Sequence, residues 1–188
     1  MINRPVATLA FIRRGCRRSR MVLIALAVAL IAVSAATARL FVWPAAGMPA
    51  HVSAIVMLDS PGDVVSVAVR LAEQHRPPFL VVSRGTPAAH DPCPRPIPRV
   101  RLICFNPRPP TTKGESEFVG RLARKYHWQS VAVVAITPQN SRARLRVERC
   151  FAGRVYVVTA PIAPASWPCQ IAYEWGALLK ALVIQRGC

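Results

Sequence analysis

The sequence predicts an α/β protein with a single doubly wound, mostly parallel five-stranded sheet, placed behind one N-terminal transmembrane helix. Three observations lead to this prediction. An uncharged apolar run near the N-terminus has membrane-spanning length, later apolar runs have the continuous character of strands buried on both faces, and amphipathic helical segments alternate with those strands. Strands that alternate with helices are joined by right-handed crossovers, which make the sheet parallel.

The first element is the run from Met21 to Ala38, which contains no charged residue and can be extended to Trp43. A helix of this length rises about 27 Å, close to the hydrocarbon thickness of a bilayer. Five arginines between residues 13 and 20 keep the N-terminus in the cytoplasm by the positive-inside rule. We therefore predict a cytoplasmic basic segment at 1–20, a single-pass anchor in the plasma membrane at 21–43, a linker at 44–50 and an extracytoplasmic domain at 51–188.

The same run is compatible with a cleavable signal peptide, because Ala36-Thr37-Ala38 fits the small-residue cleavage pattern. The run is longer than the ~7–15-residue core of a signal peptide, which favours a retained anchor. Both alternatives place the domain outside the cytoplasm.

Within the domain, prolines and hydrophobic periodicity set the order of the elements. Five prolines between Arg84 and Arg99 exclude a regular helix there. The predicted strands are 54–58, 79–82, 100–104, 131–136 and 155–158. The predicted helices lie between Pro61 and Pro77, from the 111–115 segment to Tyr126, from Thr137-Pro138 onward, and from Ile171 to about Ile184.

The closing helix has an apolar side formed by Trp175, Leu178, Leu179, Leu182 and Val183. Such a stripe usually packs on the sheet, and this is the placement we predict. Contact with lipid is the alternative.

The formal net charge is +17, from 25 Lys plus Arg against 8 Asp plus Glu. All the acidic residues and 18 of the basic residues lie from His51 onward, so the domain carries +10. The densest arginines flank the membrane segment and the domain is predicted to be translocated, so the charge does not indicate a nucleic-acid partner. The predicted partners are membrane lipid, through the N-terminal helix, and an anionic ligand that carries phosphate.

The chain has six cysteines, of which Cys16 lies in the predicted cytoplasmic segment. The other five lie in the translocated domain and predict disulfides there. Helices that follow parallel strands end at the same edge of the sheet, so Cys150–Cys188 is feasible, whereas Cys150–Cys169 would span a helix length. Cys93–Cys104 would close the Pro-rich loop. No two cysteines have the Cys-x-x-Cys spacing and the chain has only four histidines, so we predict no metal site.

Polar residues follow the strands at their carboxyl ends, where ligands bind in open parallel sheets. Helix N-termini aimed at this edge favour an anionic group such as phosphate, and Arg142 can hold that group bidentately. Glu115 is the candidate catalytic residue, acting as an acid/base. The candidate ligand-binding residues at this edge are Asp59, Ser83, Thr111, Thr112, Gly114, Asn140 and Arg142.

Structural roles compete with these assignments. Thr112 and Glu115 match the Thr-x-x-Glu capping box, and Thr137 before Pro138 fits an N-cap. Arg142 can belong to the solvated face of its helix. No Gly-x-Ser-x-Gly, Gly-x-Gly-x-x-Gly or Walker sequence is present, and we predict no cofactor.

Four segments together carry a family resemblance: AIVMLDSPGD, TTKGESE, VAVVAITPQNSRAR and YEWGALLKAL. They resemble the YdcF/SanA/ElyC-like envelope proteins, over about residues 53–188. The resemblance implies a Rossmann-like fold behind an N-terminal membrane segment, and a role in envelope integrity or in handling peptidoglycan precursors. The family motif positions that it assigns to this chain are Thr111, Thr112, Gly114, Glu115, Arg142 and Glu174.

The chain also departs from the family's pattern. Asp59-Ser60-Pro61-Gly62 replaces a Gly-rich turn, Ser83-Arg84-Gly85 replaces Ser-Gly-Gly, and Asn140 stands where a histidine commonly precedes the Arg-Ala pair. Loss of that imidazole removes a general acid or base near neutral pH. We therefore expect a protein that binds or processes a phosphorylated envelope precursor, of the peptidoglycan or lipid-carrier type. The alternative is a non-catalytic scaffold or binding module with a degenerate site.

Overall fold

The computed structural model describes residues 6–85 and 91–188, with side chains from residue 19 onward. Residues 86–90 of the predicted Pro-rich loop and residues 1–5 of the predicted cytoplasmic segment lie outside the described residues. The chain forms two units, one that ends at Arg39 and one that runs from Leu40 to Cys188.

The N-terminal unit is helical. Helix α1 (Val6–Thr37) continues into a short π-helical segment, Ala38–Val42. Within it, Ser19–Val42 is long and apolar enough to cross a membrane, with a mean hydropathy of 2.6 and no burial of its apolar window. Length and composition thus agree with the predicted span at 21–43, while its topology and retention stay predictions.

The second unit is built on one sheet whose strands are all parallel. Their order is β3-β2-β1-β4-β5, and Ile55 of the central strand pairs with Leu80 on one side and Ala132 on the other. The predicted α/β class and the five-stranded sheet are confirmed. The strands are β1 (Ala54–Met57), β2 (Phe79–Ser83), β3 (Arg101–Phe105), β4 (Ser130–Ile136) and β5 (Arg154–Ala160).

Four further helices accompany the sheet: α2 (Val64–His75), α3 (Thr112–Tyr126), α4 (Asn140–Cys150) and α5 (Trp167–Val183). Two of them begin away from the predicted residue. Gly62 has a φ of +95°, so residues 61–63 form a turn and α2 starts later than predicted. Helix α5 starts before Ile171 because Pro168 lies in its first turn, where backbone N–H groups have no helical partner.

Side chains that alternate along β1 enter two separate cores. Ile55 and Met57 pack with α2 and with Ile97 of the Pro-rich segment, which covers the same face of the sheet. Ala54 and Val56 pack on the opposite face with residues of α3 and α4. The sheet is therefore covered on both faces, as the apolar strand runs require.

Helix α5 packs mainly against α4. Leu178 and Ala181 are buried, whereas Leu179, Leu182 and Val183 are exposed. The prediction that the whole apolar side packs on the sheet is wrong for these three residues, because α5 lies beside α4 and turns only its other face inward.

The residues that precede β1 lie against the same compact unit. Phe41 is fully buried, with its ring 5.2 Å from that of Trp175 in α5. The Gly47 N–H donates to the Val157 carbonyl at 2.8 Å. The segment predicted as a linker, 44–50, is thus attached to the domain rather than free of it.

Both predicted disulfides are present. Cys93–Cys104 joins Cα atoms 6.0 Å apart and closes the Pro-rich segment onto β3. Cys150–Cys188 joins the end of α4 to the C-terminus, with Cα atoms 4.9 Å apart. Cys169, which belongs to neither predicted pair, carries a free and exposed thiol.

Candidate functional site

A cavity of about 500 Å³ opens at the carboxyl ends of β1 and β4. These two strands are neighbours in the sheet, and the chain order reverses between them, so the cavity lies at the topological switch point where open α/β sheets bind ligands. Its wall combines the turn after β1, the start of α3, the turn after β4 and the first half of α5.

Glu115, in the first turn of α3, is the buried acid of this cavity and is 2 % exposed. Its Oε1 accepts the backbone N–H of Asp59 at 2.7 Å, and the Ser83 hydroxyl also bonds the carboxyl group. Burial raises the pKa of Glu115 from 4.5 to about 7, even though these two hydrogen bonds and the charge of Arg142 act to lower it. A carboxyl group with this pKa can accept or donate a proton near neutral pH.

The capping-box interpretation of Glu115 is wrong. Helix α3 is capped by Thr111, whose Oγ1 accepts the Gly114 N–H at 3.4 Å. The Glu115 side chain turns instead toward β1 and binds the Asp59 backbone. Thr137 does not act as a side-chain cap either, because the turn it begins is preceded by Ile136 and has no such bond.

Arg142 forms a buried ion pair with Glu174, which no spacing in the sequence predicts. Its Nε and NH2 groups donate to the two Glu174 carboxylate oxygens at 2.6 and 2.7 Å, and NH1 donates to Thr112 Oγ1 at 2.6 Å. Burial acts to lower the pKa of Arg142, but Glu174 outweighs it and the pKa is raised. Three of the five guanidinium N–H groups are thus engaged within the protein, which leaves one N–H on each terminal nitrogen, and the bidentate contact with phosphate stays a prediction.

A chain of hydrogen bonds extends this pair across the cavity wall. Thr112 Oγ1 also accepts from Gln139 Nε2 at 3.4 Å, and Gln139 Oε1 accepts from the Ser60 hydroxyl. Side chains from the turns after β1 and β4 are thereby joined to α3, α4 and α5. The wall is held in place by side-chain bonds between elements that are far apart in sequence.

Asp59 stands at the exposed rim, and Gly85 makes room for it. Gly85 has a φ of +59°, and a Cβ at this position would overlap the Asp59 carboxylate. Two features therefore require glycine at position 85: the positive φ of the backbone and the close approach of the Asp59 carboxylate.

Gly85→Ala is accordingly expected to lower the free energy of unfolding by about 1–2 kcal/mol and to displace Asp59 from the rim. Gly176→Ala is the matched control, because Gly176 is exposed within α5 and a Cβ added there would meet no other atom within 4 Å. The control should gain about 0.5–1 kcal/mol from helix propensity. Urea denaturation of both variants checks the result, and equal stabilities would contradict it.

The cavity brings together six of the nine predicted site residues and leaves three outside its wall. Ser83 is fully buried behind Glu115, Gly114 packs on the Pro109 carbonyl, and Asn140 Nδ2 donates to the Ala45 carbonyl at 3.3 Å. Asn140 thus holds the segment before β1. The predicted residues that do line the cavity are Asp59, Thr111, Thr112, Glu115, Arg142 and Glu174.

Apart from Glu174, the residues that α5 contributes to the cavity were not predicted from the sequence. Cys169, Gln170 and Tyr173 line the cavity, and the Tyr173 ring lies 5.7 Å from the Arg142 guanidinium. Gln170 is four residues before Glu174, so helical spacing from Glu174 could have found it once the helix was known to start at Trp167, whereas no such spacing indicates Cys169 or Tyr173.

No family model matches this chain, and no curated protein is significantly similar to it. The resemblance to the YdcF/SanA/ElyC-like proteins therefore stays a prediction.

Proposed function

We propose that this protein is held in the plasma membrane by residues 19–42 and that its domain, outside the cytoplasm, binds or processes a phosphorylated cell-envelope precursor. The proposed location is supported by the apolar helix, by the arginines upstream of it and by two disulfides, which persist in oxidising compartments. The proposed envelope role comes from the resemblance to YdcF/SanA/ElyC-like proteins.

The single observation that carries the proposed chemistry is Glu115, a buried carboxyl group on the wall of an open cavity with a pKa of about 7. In its protonated state it can donate to a phosphate oxygen or to a leaving group. The N-terminus of α3, at Thr111 and Thr112 on the same wall, favours an anionic group.

Ligand capture tests the proposal directly. The full chain in detergent is incubated with lipid and sugar-phosphate extracts of bacterial envelopes, and bound species are identified by mass spectrometry. Gln170→Trp is the control, because this partly exposed residue lines the cavity and a large side chain there should block it while both members of the Arg142–Glu174 pair remain in the chain. Phosphate-bearing species should be retained by the unaltered protein and lost from the control; equal retention, or none, would contradict the proposal.

Affinity for such a ligand should depend on pH through Glu115. The carboxyl group is neutral below about pH 7 and repels an anion above it, so affinity should fall by up to about tenfold per pH unit above pH 7. Glu115→Gln should keep its affinity across this range, because the amide stays neutral. Glu117→Gln, on the same helix and paired with Lys113 at 3.4 Å, should retain the pH dependence of the unaltered protein.

A non-catalytic binding module is the second candidate, favoured by the engagement of Arg142 with Glu174 and by the role of Asn140 at Ala45. If the captured ligand is turned over, Glu115→Gln should slow turnover by about 10²–10⁴-fold. Binding without any turnover by the unaltered protein would favour the second candidate.

A further inference from the structure

The outer face of α5 is apolar and open. Leu179 and Val183 are 54 % and 60 % exposed, and Ile184, just past the helix end, is 76 % exposed. Residues 182 and 183 are three and four residues after residue 179, so the three side chains lie on one side of the helix and form a continuous surface. We call the surface formed by Leu179, Leu182, Val183 and Ile184 the α5 face.

Two basic side chains accompany the α5 face. Lys180 and Arg186 are exposed beside it. The one acidic residue of α5, Glu174, is buried in its ion pair with Arg142. An apolar helix face with exposed basic side chains on the same helix is complementary to an interface of acyl chains and anionic headgroups.

The α5 face also lies on the helix against which Phe41, near the start of the second unit, packs. Phe41, next to the last residue of Ser19–Val42, is buried against Trp175 of α5. The Leu40 carbonyl accepts the Ser141 hydroxyl of α4 at 2.7 Å. These contacts lie within the second unit and hold its first residues, Leu40 and Phe41, against α4 and α5.

We propose that the α5 face rests on the membrane surface, with Leu179, Leu182 and Val183 in the headgroup–acyl boundary and Lys180 and Arg186 on anionic headgroups. This inference rests on the membrane location in the proposed function and adds a second contact to it. Tyr173 and Gln170, which line the cavity, belong to the same helix, so the proposed contact would make the element that rests on the membrane also a wall of the cavity.

Photo-crosslinking of the full chain in nanodiscs tests this contact. Val183 is replaced by benzoylphenylalanine in discs of phosphatidylcholine with phosphatidylglycerol, and lipid adducts are counted by mass spectrometry. The control places the same group at Glu73, an exposed residue of α2 on the other face of the sheet. Adducts at 183 should exceed those at 73 by about tenfold or more.

Reversing the two basic charges beside the α5 face tests whether the adducts at 183 come from a specific contact with anionic lipid or from random collision with lipid. Lys180→Glu combined with Arg186→Glu should lower the adduct yield at 183 roughly tenfold in the anionic discs and much less in discs of phosphatidylcholine alone. Equal yields at 183 and 73, or adducts at 183 between two copies of the chain in place of lipid, would overturn the inference. Ligand capture is measured on other residues and in detergent, so its failure is distinguishable from a failure here.

Discussion

Arg142→Met is expected to lower the free energy of unfolding by about 3–5 kcal/mol. The reason is Glu174, whose side chain is 1 % exposed and would be left as an uncompensated buried charge. Thr112 would also lose the guanidinium donor at 2.6 Å. Equilibrium denaturation in urea at pH 7 measures the change.

Two further variants make this result specific. The double replacement Arg142→Met with Glu174→Leu should recover much of the loss, because neither charge is then buried without its partner. Lys113→Met, which breaks a partly exposed ion pair with Glu117, should cost about 0.5 kcal/mol. A cost for Arg142→Met no larger than that of Lys113→Met would show that the buried pair is not formed.

This expectation also changes how Arg142 variants are interpreted. A loss of ligand binding in Arg142→Met would follow from a collapsed cavity wall as readily as from a lost ligand contact. Glu115→Gln and Gln170→Trp are therefore the informative variants for function, because neither removes a member of the Arg142–Glu174 pair.

Stability is expected to fall by up to about 3 kcal/mol as the pH rises from about 4.5 to 7, through Glu115 alone. In this window the unfolded chain has released the Glu115 proton while the folded protein, with its pKa raised to about 7, still holds it. The unfolded state then binds fewer protons, so the free energy of unfolding decreases with pH, and the decrease ends above about pH 7.

Glu115→Gln should remove this pH dependence and leave the protein at least as stable as the unaltered chain at pH 8. The amide keeps an oxygen for the Asp59 N–H and introduces no charge. Glu117→Gln is the matched control on α3, where Glu117 is partly exposed, and it should leave the slope unchanged. Denaturation curves at pH 5, 6, 7 and 8 measure the effect; parallel curves for the unaltered protein and Glu115→Gln would contradict the raised pKa.

The secondary structure could be predicted because the signals for it, apolar runs and prolines, are local in the sequence. The run Ala54–Met57 is apolar at every position, and a strand of that kind has to be covered on both faces, which requires parallel neighbours and helical crossovers. The same topology placed the ends of α4 and of the chain at one edge, which is why Cys150–Cys188 could be predicted. Prolines between residues 84 and 99 indicated that the connection from β2 to β3 is not a regular helix. The part of this connection that the structure describes contains none.

By itself, the sequence determined the apolar N-terminal segment, the parallel α/β fold, both disulfides and the sheet edge at which polar side chains gather, because each depends on residue type and order along the chain. The tertiary structure decided what those side chains do. Arg142 and Glu174 are 32 residues apart, and only the packing of α5 beside α4 brings them within hydrogen-bonding distance and engages the Arg142 guanidinium within the protein. The raised pKa of Glu115 likewise depends on burial, a property of all the surrounding elements together that no single stretch of sequence carries.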